Sequence, residues 1–232
     1  MPLAGAMILA AGRGERMRPL SDATPKPLLR AGGKPLIVWQ IEALARAGFR
    51  DIVINVAHRA QDLIDALGDG AALGVRLRWS REAEPLETAG GVATAIDLIA
   101  PGPALIVSSD IVTRFDYASL QSRIAAMRDA PQASSRVHLV MVPNPAWHAA
   151  GDFALAGGRV ELDGAKRLTF GNIGVYDTAL FRELPRGVKL KMLPLYRDWI
   201  GRRIVSGERY DGRWANVGTP ADLAALDAAL SR

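Results

Sequence analysis

The sequence contains no cysteine among its 232 residues. Disulfide scaffolds, thiolate metal sites, iron–sulfur clusters and cysteine nucleophiles are therefore excluded, so any catalysis must use other groups. No apolar run approaches the roughly 18 residues that a membrane-spanning helix requires. The first residues, Met1 to Ala6, carry no basic leader of the secretory type. We therefore expect a cytoplasmic protein with no membrane partner.

Lysine is also scarce, since only five of the 29 basic residues are Lys, at positions 26, 34, 166, 189 and 191. Where either cation would serve, this chain has arginine, so a lysine inside a motif indicates that a compact ammonium group is required there. The net charge of +5 comes from basic residues that are scattered rather than clustered. A phosphorylated metabolite accounts for that charge as well as nucleic acid does, and we expect no nucleic-acid partner.

Hydrophobic residues make up 49% of the chain, which is enough for a sizeable core. In the first half, short apolar runs alternate with segments of helical periodicity. The predicted strands are 7–11, 52–56, 75–79 and 104–108, and the predicted helices are a segment from Pro35 to Gly48, 61–67 and 91–99. This alternation predicts an α/β fold with a Rossmann-like, mostly parallel sheet sandwiched by helices, with ligands beyond the carboxyl ends of the strands.

The second half of the chain is less regular. It predicts a strand over 137–142, a hairpin of 152–155 and 159–162 around Gly157-Gly158, a strand over 172–176, and helices near 178–182 and 192–200. A final helix is expected to begin after Thr219, because Thr219, Pro220 and Asp222 match the spacing of an N-cap, a first-turn proline and a capping box.

The first strand runs into a glycine-rich loop, Gly12-Arg13-Gly14, in which backbone N–H groups can approach phosphate oxygens. The dinucleotide-binding fingerprint would need glycine where Met17 stands, and a nucleoside-triphosphatase loop would need Gly-Lys-Ser/Thr, which is absent. Downstream, two prolines flank Lys26. We expect them to hold it in an extended backbone from which its ammonium group can be aimed at a phosphate.

The run from Gly12 through Arg18-Pro19 to Pro25-Lys26-Pro27 resembles the signature loop of the sugar-1-phosphate nucleotidylyltransferases, which make nucleotide sugars. Three further segments are similar to motifs of that family. They are 82–91, similar to the segment that reads the nucleobase, 107–110, similar to the strand end that carries the magnesium aspartate, and 214–220, similar to the second metal motif. The resemblance covers nearly the whole chain.

The resemblance implies a nucleotidyltransferase fold and a single domain over 1–232. Within it, we expect a nucleotide-binding half over 1–142, a small sugar-binding lobe over about 143–195, and a closing segment over 196–232 with the second metal motif.

Carried over residue by residue, the resemblance also implies the site. The implied catalytic residues are Arg18, Lys26 and Asp110, and the implied Mg²⁺ ligands are Asp110 and Asn216. The implied nucleotide contacts are Ala11, Gly12, Arg13, Gly14, Glu82, Thr88 and Gly90, and the implied sugar contacts are Gly151, Asp152 and Asn172. Two departures stand out. Asn216 replaces the usual aspartate and brings no charge, and the usual Glu-Lys-Pro lysine is missing, which leaves Lys166 and Lys191 as candidates for the sugar phosphate.

Among the branches of the family, the chain most resembles the compact bacterial N-acetylmuramate-1-phosphate uridylyltransferases of cell-wall recycling, as in Glu84-Pro85-Leu86-Glu87-Thr88. That branch implies UTP and a sugar 1-phosphate as substrates, pyrophosphate release, and a monomer or small homo-oligomer. Mannose-1-phosphate guanylyltransferases and glucose-1-phosphate thymidylyltransferases stay as alternatives, because spacing does not settle the sugar or the base. A non-catalytic nucleotide or nucleic-acid binding module is the alternative of another class.

Overall fold

The computed structural model describes residues 5–130 and 135–231. Met1–Ala4, on which part of the expectation about a leader rests, lie outside the described residues. Within the described ranges, no helix is both long and apolar enough to cross a membrane.

The strands and helices are as follows. The strands are β1 (Ala6–Leu9), β2 (Arg30–Ala31), β3 (Lys34–Pro35), β4 (Asp51–Val56), β5 (Arg76–Arg81), β6 (Pro103–Ser108), β7 (Ile111–Thr113), β8 (Val137–Val142), β9 (Phe153–Ala156), β10 (Arg159–Glu161), β11 (Arg167–Asp177), β12 (Val205–Arg209) and β13 (Trp214–Asn216). The helices are α1 (Leu20–Ala23), α2 (Leu36–Arg46), α3 (Ala60–Leu67), α4 (Glu87–Ala95), α5 (Gln121–Asp129), α6 (Ala179–Arg182), α7 (Met192–Gly201) and α8 (Pro220–Leu230).

A nine-stranded sheet in the order β5-β4-β1-β6-β11-β8-β12-β10-β9 forms the centre of the molecule. The first four strands are mutually parallel, β11 runs antiparallel to both β6 and β8, and β12 is parallel to β8. The predicted α/β fold is confirmed, but "mostly parallel" is wrong for the sheet as a whole, which is mixed. The physical reason is that no crossover helix separates β9, β10 and β11, and strands joined without a crossover return antiparallel.

Hydrophobic side chains cover both faces of this sheet. Along β1, Ile8 joins a core cluster that includes α2, α3 and α5, whereas its neighbour Met7 joins a second cluster with α4, α6 and α7. Alternating side chains of one strand thus serve two cores, which explains why the strand sequence is apolar throughout rather than alternating.

Two local predictions are wrong. The helix expected over 91–99 is α4 (Glu87–Ala95), followed by a 3-10 turn at Ile96–Leu98. Gly90 and Gly91 lie inside it, although glycine normally weakens a helix interior, because at each of them a Cβ would collide with a neighbouring segment. Lys26 does not lie in extended backbone but begins a 3-10 turn, Lys26–Leu28, and extended backbone precedes it at Thr24.

The final helix agrees with the sequence in detail. Thr219 caps α8, Pro220 is its first residue, and the side chains of Thr219 and Asp222 form a reciprocal capping box. Strand β8 and the hairpin of β9 and β10 around Gly157-Gly158 also lie where they were predicted.

Candidate active site

A cavity of about 960 Å³ opens at the carboxyl ends of β1, β4, β5 and β6. This is the edge at which ligands bind in open α/β sheets. Among its lining residues are Ala11, Gly12, Arg13, Gly14, Lys26, Glu82, Thr88 and Asp110. No histidine lines it within the part of the chain that the structure describes, so the chemistry available here is charge neutralisation rather than a serine–histidine mechanism.

The glycine loop folds back on itself at Gly14, whose φ of +64° places it in the left-handed region that favours glycine. Its carbonyl oxygen accepts hydrogen bonds from the Met17 backbone N–H and from the Ser21 hydroxyl, both at 2.8 Å. A Cβ at position 14 would lie 3.0 Å from the Lys26 Cβ. The loop therefore needs glycine both for its turn and to let Lys26 pack beside it.

The side chain of Lys26 reaches Asp110 and forms an ion pair with its carboxylate. The exposed fractions are only 13% for the lysine side chain and 25% for the aspartate. Asp110 follows the buried strand β6, and its backbone carbonyl accepts a hydrogen bond of 2.8 Å from the Val217 N–H. That bond ties the strand end to the closing segment of the chain.

Asn216 ends β13, which pairs antiparallel with β7 so that Asn216 faces Ile111, the residue after Asp110. Its side-chain oxygen Oδ1 is buried and has no hydrogen-bond partner in the described parts of the molecule. A buried amide oxygen without a hydrogen-bond partner lowers the stability of the folded protein unless a ligand or an ion binds it. Asn216 lines a neighbouring cavity of about 430 Å³ together with Trp147 and Trp214, rather than the larger cavity.

The donor set suits a hard divalent cation, since Asp110 offers a carboxylate and Asn216 an unpaired amide oxygen, and Mg²⁺ prefers oxygen ligands. No group of three or more His, Asp or Glu side chains with metal-binding geometry occurs in residues 5–130 and 135–231. The protein therefore supplies few ligands of its own, and a bound cation would depend on phosphate oxygens for the rest.

At the other end of the cavity, Glu82 is 7% exposed and accepts two hydrogen bonds from the protein. Its Oε1 accepts from Asn55 Nδ2 at 2.7 Å, and its Oε2 accepts from the Leu86 N–H at 3.0 Å. Burial raises the pKa of Glu82, while the two hydrogen bonds oppose that rise. Thr88 is exposed on the cavity wall.

Gly90 does not line the cavity. Its N–H donates to the Leu190 carbonyl at 3.2 Å, and a Cβ there would lie 2.2 Å from the Val188 carbonyl oxygen. The observed role of this glycine is thus close packing between α4 and the 188–190 segment.

The three expected sugar contacts line neither cavity. Gly151 has a φ of +64° and packs on Asn144. Asp152 binds His148 at 3.0 Å and the Phe170 N–H at 2.8 Å. Asn172, with a φ of +56°, lies in a bulge of β11 next to Gly171, whose carbonyl accepts a hydrogen bond from the Trp214 indole N–H.

Arg18 and the two candidate lysines are also outside the cavity lining. Arg18 is exposed and paired with Asp22 at 3.1 Å, and Lys166 and Lys191 are exposed. The lysine that does line the cavity is Lys189, which pairs with Glu84 at 2.6 Å. Lys189 and Asn55 are polar lining residues that lie outside the motifs identified in the sequence. Two features of the sequence could have identified them. Lysine is scarce in this chain, which singles out Lys189, and Asn55 is a lone polar residue inside the apolar strand β4.

The chain is similar to known proteins over most of its length. The family model described as nucleotidyl transferase matches residues 5–146. The chain is 43% identical over 222 residues, 94% of both chains, to the N-acetylmuramate alpha-1-phosphate uridylyltransferase of Neisseria meningitidis serogroup B. It is 38% identical over 143 residues to a mannose-1-phosphate guanyltransferase of Schizosaccharomyces pombe, covering 60% of this chain and 38% of that one.

Among solved structures, the chain is similar to a putative glucose-1-phosphate thymidylyltransferase of Bacillus anthracis. The TM-score is 0.82 at 19% identity, with 97% of this chain and 94% of that one covered. At this level of identity the likeness shows the fold, and it agrees with the mixed sheet described above.

Proposed function

The chain belongs to the nucleotidyl transferase family, and we propose that it transfers the uridylyl group of UTP to N-acetylmuramate 1-phosphate, with release of pyrophosphate. The observation that carries the choice of substrates is the 43% identity to the meningococcal uridylyltransferase over 94% of both chains. A reaction that consumes UTP is expected in the cytoplasm.

In the proposed reaction, a phosphate oxygen of the sugar 1-phosphate attacks the α-phosphorus of the nucleotide in line. A new P–O bond forms as the bond between the α-phosphorus and the bridging oxygen breaks, and pyrophosphate leaves with the electron pair. The backbone N–H groups of Gly12, Arg13 and Gly14 bind the triphosphate. The Lys26 ammonium offsets the charge that builds up on the phosphates in the transition state.

Asp110 and Asn216 would hold Mg²⁺, which when bound supplies positive charge to the phosphates. Because the lining of the cavity offers charged groups rather than a nucleophile–base pair, we propose direct displacement without a covalent intermediate. Recovery of radiolabelled nucleotide on the denatured protein, as a species that goes on to product, would contradict this mechanism.

The base and the sugar are assigned to different segments. Thr88, exposed on the cavity wall, is proposed to contact the nucleobase. Gly151, Asp152 and Asn172 are proposed to form the sugar end, which the hydrogen bond from Trp214 to the β11 bulge connects to the closing segment. Arg18, in the exposed segment after the glycine loop, is proposed to bind the leaving pyrophosphate.

The test is a pyrophosphate-release panel of UTP, GTP, dTTP, CTP and ATP against the 1-phosphates of N-acetylmuramate, N-acetylglucosamine, mannose and glucose. Highest kcat/KM with UTP and N-acetylmuramate 1-phosphate is the expected result. A guanylyltransferase is the second candidate, favoured by the partial match to the yeast enzyme, and preference for GTP and mannose 1-phosphate would establish it instead. Salt-sensitive binding of generic DNA or RNA without turnover would point to the non-catalytic alternative.

A further inference from the structure

Two polar side chains, Asn55 and Glu82, are buried side by side in the lining of the large cavity. Asn55, 3% exposed, lies in β4, and Glu82, 7% exposed, follows β5. Asn55 Oδ1 accepts the Ala10 N–H at 2.9 Å, Asn55 Nδ2 donates to Glu82 Oε1 at 2.7 Å, and Glu82 Oε2 accepts the Leu86 N–H at 3.0 Å. The result is a continuous chain of three hydrogen bonds across the back of the site.

The two ends of this chain are functional segments. Ala10 immediately precedes the glycine loop, and Leu86 immediately precedes the first residue of α4, two positions before Thr88. The Asn55–Glu82 pair therefore connects the segment proposed to bind the phosphates with the segment proposed to read the base, although Ala10 and Leu86 are 76 positions apart in the sequence.

Helix α4 fixes the pair in place. A Cβ at Gly91 would lie 2.6 Å from Asn55 Nδ2 and 2.9 Å from Glu82 Oε1. The helix thus packs directly on the two side chains, and only glycine permits that approach. Side chains held this closely in a protein interior have little freedom to turn toward a ligand.

Without an added proton, the donors and acceptors of the pair can be satisfied in only two ways. Each side chain uses one oxygen to accept a backbone N–H, so the third bond requires a donor on one side chain and an acceptor on the other. One amide and one carboxylate meet that condition in either order. Two amides place NH₂ against NH₂, which buries unsatisfied donors, and two ionised carboxylates place oxygen against oxygen, which is repulsive unless the two carboxyls share a proton.

We propose that Asn55 is a positioning residue for the nucleotidyl transfer, and that it acts with Glu82 as a pair that sets the distance between the phosphate loop and the base-reading segment. In this arrangement Glu82 serves the nucleotide through the Leu86 backbone and not by contacting the base. The inference rests on the proposed function only in taking a nucleoside triphosphate as the ligand of this cavity.

The test compares Asn55→Asp, Glu82→Gln and the double variant that combines them. Each single change is isosteric but leaves two like groups facing each other, whereas the double variant restores one amide and one carboxylate in reversed order. Steady-state kinetics would give kcat and the KM of each substrate. Calorimetry with the non-hydrolysable UTP analogue UMPNPP in Mg²⁺, without sugar phosphate, would give the nucleotide Kd.

We expect Glu82→Gln to raise the nucleotide KM and Kd about tenfold or more, the scale of one lost buried hydrogen bond. Asn55→Asp should do the same at a pH at which its two carboxyls share no proton. The KM of the sugar 1-phosphate should change little in either variant. The double variant should return the nucleotide KM and Kd to within about threefold of the parent values, because it restores the hydrogen bond between the side chains at positions 55 and 82.

The matched control is Thr178→Val, which removes two hydrogen bonds from a buried side chain far along the chain. It should lower the unfolding temperature without raising the nucleotide Kd.

Three outcomes would overturn the inference. If the double variant is as impaired as Glu82→Gln, the carboxylate at position 82 contacts the base itself. If the single variants lower only the unfolding temperature and leave the nucleotide Kd at the parent value, the pair is merely structural. If Glu82→Gln, in which no shared proton can replace the lost bond, binds nucleotide like the parent, the pair does not position the loop. Should the substrate panel favour another nucleotide, the same variants are measured with its analogue, so the two proposals fail separately.

Discussion

Lys26 and Asp110 are 84 residues apart in the sequence and form an ion pair in the lining of the cavity. The lysine comes from the turn after the glycine loop, and the aspartate from the end of β6. Because the ammonium group lies against the carboxylate, it neutralises part of the charge that would attract a cation at Asp110. The two groups therefore cannot be considered independently in catalysis or in metal binding.

Removing the Lys26 ammonium should impair the chemical step. We expect Lys26→Ala to lower kcat by roughly 10²-fold or more, because a preorganised charge directed at the transition state contributes several kcal/mol. Lys26→Arg should also fail, since the planar guanidinium is too large for the space beside Gly14. Initial rates at saturating substrates measure both effects.

The matched control for this charge removal is Lys34→Ala. Lys34 pairs with Glu42 at 2.5 Å, lies 4.4 Å over the Trp39 ring, and does not line the cavity. Its kcat should stay near the parent value. Near-normal turnover in Lys26→Ala would exclude that lysine from the chemistry.

A carboxylate in place of the amide at position 216 should raise the affinity of the protein itself for Mg²⁺. The affinity of a hard divalent cation rises with the number of carboxylates supplied, so Asn216→Asp should lower the Mg²⁺ concentration that gives half-maximal rate. Slower pyrophosphate release is expected alongside, because the metal–product complex is held more tightly. Asp110→Asn should leave almost no activity, since it removes the one charged ligand.

Initial rates across a Mg²⁺ titration measure these changes, and Gln61→Glu on the surface of α3 controls for the added charge. An unchanged midpoint in Asn216→Asp together with full activity in Asn216→Ala would make position 216 a structural residue. Asp110 would then be the only protein ligand.

The cap of α8 should contribute to both stability and metal response. The Asp222 carboxylate accepts the N–H groups of Gly218 and Thr219 at 3.0 and 2.8 Å, and the Thr219 hydroxyl accepts the Asp222 N–H at 3.2 Å. Thr219→Ala should lower the free energy of unfolding by about 1 kcal/mol. Because the cap fixes the chain just after Asn216, the Mg²⁺ midpoint should rise as well.

Denaturant unfolding checks the cap prediction, with Ser231→Ala at the opposite end of the same helix as the control. That variant should change stability by less than about 0.5 kcal/mol. A loss of the same size at both ends would show that the cap has no special role.

Glu208 should make part of the stability depend on pH. The imidazole of buried His138, whose Nε2 lies 3.5 Å from Glu208 Oε1, lowers the pKa of Glu208 below its ordinary value of 4.5. A carboxyl with a lowered pKa in the folded state stabilises the protein above pH 4.5 and loses that contribution as the pH falls further. Glu208→Gln should therefore be less stable than the parent at neutral pH, and the difference should shrink below pH 4.5.

Unfolding curves at several pH values test this, with Glu161→Gln on an exposed position of β10 as the control. The control should show no comparable difference between neutral and acid pH. A Glu208→Gln deficit that persists unchanged into acid would mean that packing, rather than charge, accounts for it.

Much of the fold could be predicted from local pattern. The strand ending near Asp110, the hairpin at Gly157-Gly158 and the cap at Thr219 all follow from hydrophobic runs and turn chemistry, which act over a few residues. The antiparallel insertion of β11 between β6 and β8 could not be predicted in this way, because strand order depends on connections and on partners distant in sequence.

The features of the site can be separated in the same way, into those set by local sequence and those set by tertiary contacts. The amino-acid sequence alone determined that a glycine loop, a proline-flanked lysine and a strand-terminal aspartate exist at spacings similar to those of the nucleotidyl transferases, since these are short-range features. Only the tertiary structure decided that Lys26 meets Asp110, that Asn55 lies between Ala10 and Glu82, and that Lys189 lines the cavity in place of Lys166 or Lys191. Each of these is a contact between side chains far apart along the chain, and such contacts are set by how the sheet and helices pack.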